Sequence, residues 1–336
     1  VVIHLKNINS DSTKQFLDFL KTNQVRYRFA ESANLVVLSQ TYPESFLEPY
    51  KHIIRQINES AYPLAARSGF ANTVVHIGDV KVGSDECIMM AGPCSIESQE
   101  QIFSIADFLS KQGVKVLRGG AYKPRTSPYS FRGLGKQGLQ LMRQAADAYQ
   151  MKVVTEIMDL SLLDEVMEYA DILQVGSRNM QNFFMLSELG KVNKPIMLKR
   201  GMQSTVKEWL LAAEYILSGG NEQVILCERG IRSFDNETRN VMDVGVIPLI
   251  KELSHLPIIA DPSHGTGASS RVIPLALASA VAGAHGLLIE VHPNPEQALS
   301  DKYQAINYDA FASLQNQLNA LLQVMKGGEI TPVTVL

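Results

Sequence analysis

Pro195-Ile196-Met197-Leu198-Lys199-Arg200-Gly201 and Gln223-Val224-Ile225-Leu226-Cys227-Glu228-Arg229-Gly230 frame the stretch that decides the fold. Each is a short apolar run that ends in charged residues and a glycine. A run of this length reads as a strand buried on both faces. Between the two, residues 204–217 carry apolar side chains at helical spacing. Strand, helix, strand makes one βαβ unit.

The same rhythm recurs outward in both directions. Strands are expected at 88–91, 114–117, 152–155, 172–175, 195–198, 223–226, 257–260 and 286–289. Helices are expected at 98–111, 136–150, 160–169, 181–189, 204–217, 244–253, 271–282 and 308–325. Eight such units over about 250 residues have the count and size of a (β/α)8 TIM barrel. A doubly wound open sheet fits less well, because no Gly-x-Gly-x-x-Gly turn follows the first strand. Ahead of the barrel, residues 1–68 read as β-α-β-β-α-β, a small ferredoxin-like α+β domain. A hairpin is expected at 73–82, turning at Gly78-Asp79. The chain therefore divides into 1–68 and 72–336.

Composition narrows the function. The chain has 336 residues, 46% hydrophobic and 19% charged, and a net charge of −3. That is a globular composition without the basic field a nucleic-acid partner needs. Three cysteines, Cys87, Cys94 and Cys227, give no disulfide framework and suit a reducing, cytoplasmic setting. No signal peptide is expected. The longest uncharged stretch, 272–289, is interrupted by Pro274, Gly283, His285 and Gly286, so no membrane span is expected.

Barrel chemistry sits where strands end. Arg118, Lys123, Arg125, Arg178, Lys199 and Arg229 follow strands and converge on one mouth. Such a cationic pocket in a chain of net negative charge suits a small substrate with several phosphate or carboxylate groups. The plainer alternative is a set of surface ion pairs. A second constellation is Cys94, His264, Glu290 and Asp301, brought near one another because strands eight and one are neighbours in a closed barrel. Thiolate, imidazole and carboxylate together suit a divalent transition ion such as manganese, iron, cobalt or zinc. Taken singly, a cysteine is more often a small buried hydrophobe, a description that fits Cys87 and Cys227.

The motifs Gly92-Pro93-Cys94-Ser95, Leu117-Arg118-Gly119-Gly120, Lys123-Pro124-Arg125-Thr126-Ser127, Gly176-Ser177-Arg178-Asn179, Leu198-Lys199-Arg200-Gly201, Glu228-Arg229-Gly230 and Asp261-Pro262-Ser263-His264 resemble those of 3-deoxy-D-arabino-heptulosonate-7-phosphate (DAHP) synthases. The resemblance runs over about residues 72–326 by motif, and over 1–68 by architecture, to the short microbial form with a ferredoxin-like domain in front. It implies condensation of phosphoenolpyruvate with erythrose 4-phosphate, releasing phosphate, as the first step of the shikimate pathway to aromatic amino acids.

The resemblance also implies roles. Cys94, His264, Glu290 and Asp301 match the metal ligands, with Mn²⁺ foremost. Arg118, Lys123 and Lys199 match the grip on the phosphoenolpyruvate carboxylate, and Lys199 also its phosphate. Arg178 and Arg229 match the main phosphate clamp. Arg125 and Thr126 match the site for the erythrose phosphate end. Glu156 lies near the reacting water, so Lys123, Glu156, Lys199 and His264 carry the catalytic expectations. A Schiff-base role for Lys199 is disfavoured, since phosphoenolpyruvate is already an activated enol. Family members are dimers or tetramers, and a tyrosine or phenylalanine effector acting through residues 1–68 is expected.

Two alternatives stand beside this reading. One is 3-deoxy-D-manno-octulosonate-8-phosphate synthase, whose matching segment typically reads Lys-Ala-Asn-Arg-Ser. Here Lys123-Pro124-Arg125-Thr126 has one residue fewer between Lys and Arg, which favours the four-carbon aldehyde. The other is a barrel that has lost catalysis and serves as an amino-acid sensor.

Overall fold

The computed structural model describes residues 1–6, 10–31, 34–67, 70–123, 127 and 129–327. The N-terminal unit runs β1 (Val2–Leu5), α1 (Ser10–Thr22), β2 (Tyr27–Ala30), β3 (Leu35–Leu38), α2 (Glu44–Leu47) and β4 (Ile54–Asn58). Its antiparallel sheet has the order β2-β3-β1-β4, the ferredoxin-like arrangement. Alternation along β1 explains its two faces. Ile3 and Leu5 pack on Phe16 and Leu20, which lie four residues apart on one side of α1. Val2 points the other way and joins Ala30 and Leu35 in the core that continues into the barrel.

A short hairpin follows, β5 (Val75–Ile77) and β6 (Val80–Val82). Val75, Ile77, Val80 and Val82 pack on Met90, Val116, Met197 and Leu288 inside the barrel. The hairpin therefore closes the floor of the barrel.

The barrel runs β7 (Ile88–Gly92), α3 (Gln99–Lys111), β8 (Val116–Arg118), α4 (Lys136–Ala148), β9 (Lys152–Glu156), α5 (Leu163–Tyr169) and β10 (Ile172–Val175). It continues with α6 (Phe183–Leu189), β11 (Ile196–Lys199), α7 (Val206–Gly219), β12 (Val224–Glu228), α8 (Val246–Leu253), β13 (Ile258–Ala260), α9 (Pro262–Thr266), α10 (Val272–Val281), β14 (Gly286–Glu290) and α11 (Tyr308–Met325). All eight strands are parallel, and β14 closes on β7 with Glu290 beside Gly92. The deciding βαβ unit shows why the pattern holds. Thr205 and Glu208 form a capping box that starts α7, and Gly220 ends it in the left-handed conformation. Trp209 is fully buried and donates from Nε1 to the Leu198 carbonyl, tying the helix to its strand.

Two elements differ from the expectation. Residues 160–169 are a 3₁₀ turn followed by the shorter α5, with Asp159 accepting from the Ser161 amide. The segment after β13, where no helix was expected, folds into the one-turn helix α9. No described helix is long and apolar enough to cross a membrane.

The ferredoxin-like domain sits away from the mouth. Arg28 donates to the Gly220 carbonyl just before β12. The segment joining domain to barrel is pinned by Glu214 of α7, which accepts from the Leu64 and Ala65 amides. Ser254 holds the Ala65 carbonyl and His255 the Leu64 carbonyl, both just before β13. These contacts lie at the N-terminal ends of the strands.

Candidate active site

β7 ends at Gly92, where φ is +154° and an added Cβ would lie 2.0 Å from the Arg118 carbonyl oxygen. The next turn buries Cys94 in the mouth at 4% exposure. Its Sγ lies 3.1 Å from Ser300 Oγ and donates to Asp301 Oδ2 at 3.2 Å. Lys123 Nζ donates to the same sulfur at 3.1 Å and to the Cys94 carbonyl at 3.0 Å. Glu290, the last residue of β14, is buried with both oxygens engaged. Oε1 accepts from Arg118 Nη1 at 2.9 Å, and Oε2 accepts from Gln304 Nε2 at 2.7 Å.

Donor atoms of Cys94, Glu290 and Asp301 all lie within 4.8 Å of one another. The expected fourth member, His264, flanks this set with Nε2 at 3.4 Å from Glu290 Oε1. Its Nδ1 lies 2.8 Å from Asp261 Oδ2. That contact fixes the ring so that Nε2 faces the donor set.

The charges suit a cation. Burial, reinforced by Glu290, pushes the Cys94 thiol up to about 12. Burial also opposes ionisation of Glu290, but His264 and then Arg118 outweigh it and hold its carboxyl below the usual range. For Asp301 the same opposition from burial is outweighed first by His264 and then by Lys123. Two ionised carboxylates, a thiol and an imidazole in one cleft fit a divalent transition ion better than magnesium or calcium.

Beside the donor set lies a cavity lined by Arg118, Lys123, Glu156, Arg178, Lys199 and Arg229. Arg118 and Lys199 already have counter-charges, in Glu290 and Asp261. Arg229 does not. It is 4% exposed, its guanidinium donates to the Gly230 carbonyl, and burial pulls its pKa down. Arg178 is exposed at the cavity wall and makes no ion pair among the described residues. Two cations facing a cavity without carboxylate partners form an anion-binding wall. Glu156 lines the same cavity, with its carboxylate lying against Gly176. A Cβ there would lie 2.0 Å from Glu156 Oε1.

The structure thus brings Cys94, Arg118, Lys123, Glu156, Arg178, Lys199, Arg229, His264, Glu290 and Asp301 to one mouth. Arg125 and Thr126 lie outside the described residues. Sequence reasoning missed Asp261, Arg239 and Gln304. Asp261 had a signal: an aspartate before proline is a helix N-cap with proline at the first helical position. Its Oδ1 accepts from the His264 amide three residues on. Arg239 and Gln304 sit in loops with no spacing pattern to mark them.

Comparison with known proteins agrees with this geometry. Phospho-2-dehydro-3-deoxyheptonate aldolase of Thermotoga maritima is 50% identical over 279 residues, 83% of this chain and 79% of its own. 2-Dehydro-3-deoxyphosphooctonate aldolase of Geobacter sulfurreducens is 30% identical over 274 residues, 75% of this chain and 98% of its own. The crystal structure of the Thermotoga maritima DAHP synthase superposes with a TM-score of 0.79 at 42% identity, covering 98% of this chain and 99% of that one. A truncated form of the Thermotoga enzyme matches 81% of this chain and 100% of its own, with a TM-score of 0.75. Residues 58–326 match the DAHP synthetase I family, with the donor set and the cationic cavity both inside the match, and the chain belongs to that family.

Proposed function

We propose that this protein is a metal-dependent DAHP synthase that condenses phosphoenolpyruvate with erythrose 4-phosphate. One observation carries the reading. A thiol–carboxylate donor set and a cavity walled by guanidinium groups, two of them without an ion pair among the described residues, share a single barrel mouth. A divalent ion held by Cys94, His264, Glu290 and Asp301, Mn²⁺ foremost with Fe²⁺, Co²⁺ or Zn²⁺ also suited, supplies Lewis-acid polarisation of the aldehyde oxygen.

The remaining work falls to the chain's own groups. Arg118, Lys123 and Lys199 orient the phosphoenolpyruvate carboxylate, and Arg178 and Arg229 take its phosphate. C3 of the enol attacks the aldehyde carbon, water adds at C2, and phosphate leaves by C–O cleavage. Fixed cations around C2 and the phosphate offset the changing charge without reorganisation. Glu156, which lines the same cavity, holds the attacking water or takes its proton in this reading. Lys199 acts as a charge in this reading, in keeping with its 2.6 Å ion pair with Asp261.

The sister reaction with arabinose 5-phosphate is the second reading, carried by the 30% identity to an octulosonate enzyme. Phosphate release from phosphoenolpyruvate, measured with each sugar phosphate, separates the two. Turnover with erythrose 4-phosphate alone is expected, and turnover only with arabinose 5-phosphate would reverse the assignment.

Residues 1–68 are proposed as a regulatory domain answering to tyrosine or phenylalanine in a dimer or tetramer. Its seat at the strand N-terminal ends leaves the mouth of its own barrel open. An effect on catalysis would therefore run through α7, or reach the mouth of a neighbouring copy. A shortened chain beginning at Asn72 should keep synthase activity and lose any inhibition by either amino acid. Equal inhibition of both chains would remove the regulatory role.

A further inference from the structure

Glu290 and Asp301 are tied together from outside the donor set. Gln304 is 2% exposed and has both ends of its amide engaged. Nε2 donates to Glu290 Oε2 at 2.7 Å. Oε1 accepts from Arg239 Nη1 at 2.9 Å. The same Arg239 Nη1 lies 3.6 Å from Asp301 Oδ1. The amide can take only one orientation here, since the reverse would set oxygen against carboxylate and NH₂ against guanidinium. Arg239 is itself steadied, its amide donating to the Thr266 carbonyl at 3.3 Å. Arg118 holds the other oxygen of Glu290. Asp301 sits in the left-handed region at φ +49°, a conformation its loop must hold against local preference.

We propose that Gln304 and Arg239 form one positioning relay that sets both carboxylates of the donor set before the ion arrives. The relay rests on the metal assignment made above. Neither residue is a ligand. Partners behind a metal ligand fix its direction, and their loss typically weakens metal affinity by about 10–100-fold.

The test measures Mn²⁺ dissociation constants by competition with a chromogenic chelator, without substrate, with circular dichroism as the check on folding. Gln304→Leu and Arg239→Ala should each weaken Mn²⁺ binding by about 10–100-fold. The double variant should fall within about threefold of the worse single variant, as expected of two residues acting in series. For Gln304→Leu, whose side chain does not line the cavity that Arg239 shares, the Michaelis constant for the sugar phosphate at saturating Mn²⁺ should stay near that of the wild type. Wild-type affinity in folded Gln304→Leu or Arg239→Ala, beside a Cys94→Ala variant that has lost Mn²⁺, overturns the relay and leaves the donor set standing. Wild-type affinity in Cys94→Ala as well overturns the donor set. An Arg239→Ala variant with unchanged Mn²⁺ affinity and a raised Michaelis constant for the sugar phosphate makes Arg239 a substrate contact and overturns the relay too. If Gln304→Leu does not fold, Arg239→Ala at the exposed end of the relay decides the matter.

Discussion

Lys199 and His264 meet on a single oxygen, Oδ2 of Asp261, at 2.6 and 2.8 Å. Asp261 is fully buried, and although burial favours the neutral acid, His264 and Lys199 hold it ionised well below the usual carboxylate range. One carboxylate thus ties the Lys199 side chain, proposed above to grip substrate, to the imidazole that flanks the donor set. Asp261→Asn removes the counter-charge of a buried lysine and should destabilise the metal-free protein by about 3–5 kcal/mol. Urea denaturation measures it, and a change below about 0.5 kcal/mol, the level of a surface substitution, would show that the pair is not structural.

Arg229 should behave in the opposite way. Its guanidinium is buried and makes no ion pair among the described residues. Arg229→Met should cost about 1.5–3 kcal/mol of phosphoenolpyruvate recognition, read as kcat/KM, the range for a lost charge-assisted contact. The same change should leave the ligand-free protein as stable or more stable, because an unpaired buried charge has been removed. A fall in both activity and melting temperature would argue that Arg229 is a structural residue.

Metal affinity should depend on pH through Cys94. Burial holds its thiol at about 12, while Glu290 and Asp301 are already ionised. Binding as thiolate therefore releases one proton, and affinity should rise about tenfold per pH unit between about 7.5 and 9. Chelator competition across that window gives the slope. A flat profile would mean that sulfur does not bind the ion as thiolate.

Glu214 predicts a stability profile. Burial raises its pKa from 4.5 to about 7, against the pull of the Leu64 and Ala65 amides. The folded state therefore holds a proton that the unfolded state has lost between these two values. This contribution is fully present below 4.5, falls as pH rises to about 7, and is flat above it. Glu214→Gln should remove that slope while lowering stability overall, since one oxygen acceptor becomes a donor. Denaturation midpoints from pH 4 to about 8 would show it. An unchanged slope in the variant would assign the pH dependence elsewhere.

The barrel was legible because each strand, buried on both faces, appears as an unbroken apolar run such as Ile196-Met197-Leu198. The residues that share the mouth were legible for the same reason, as the first charges after each run. What sequence could not show is which of them pair. Arg118 meets Glu290 across 172 positions of chain, and Gln304 meets Arg239 across 65. Helix α9 was missed because Pro262-Ser263-His264-Gly265 has the composition of a turn. The seat of the ferredoxin-like domain was equally hidden, since the surfaces joining it to α7 and the start of β13 are ordinary solvent-facing patterns until they meet.

The hairpin in the barrel floor sets a timing problem for synthesis. Val75, Ile77, Val80 and Val82 leave the ribosome before any barrel strand, yet their partners include Leu288 in the last one. At about 5–20 residues per second, the intervening chain of about 200 residues takes roughly 10–40 s to make. For that interval four apolar side chains on two unsealed strand edges have no finished cavity to occupy. The newborn chain should therefore depend on holdase chaperones over this window, and slow codons downstream of residue 82 should lengthen its exposure.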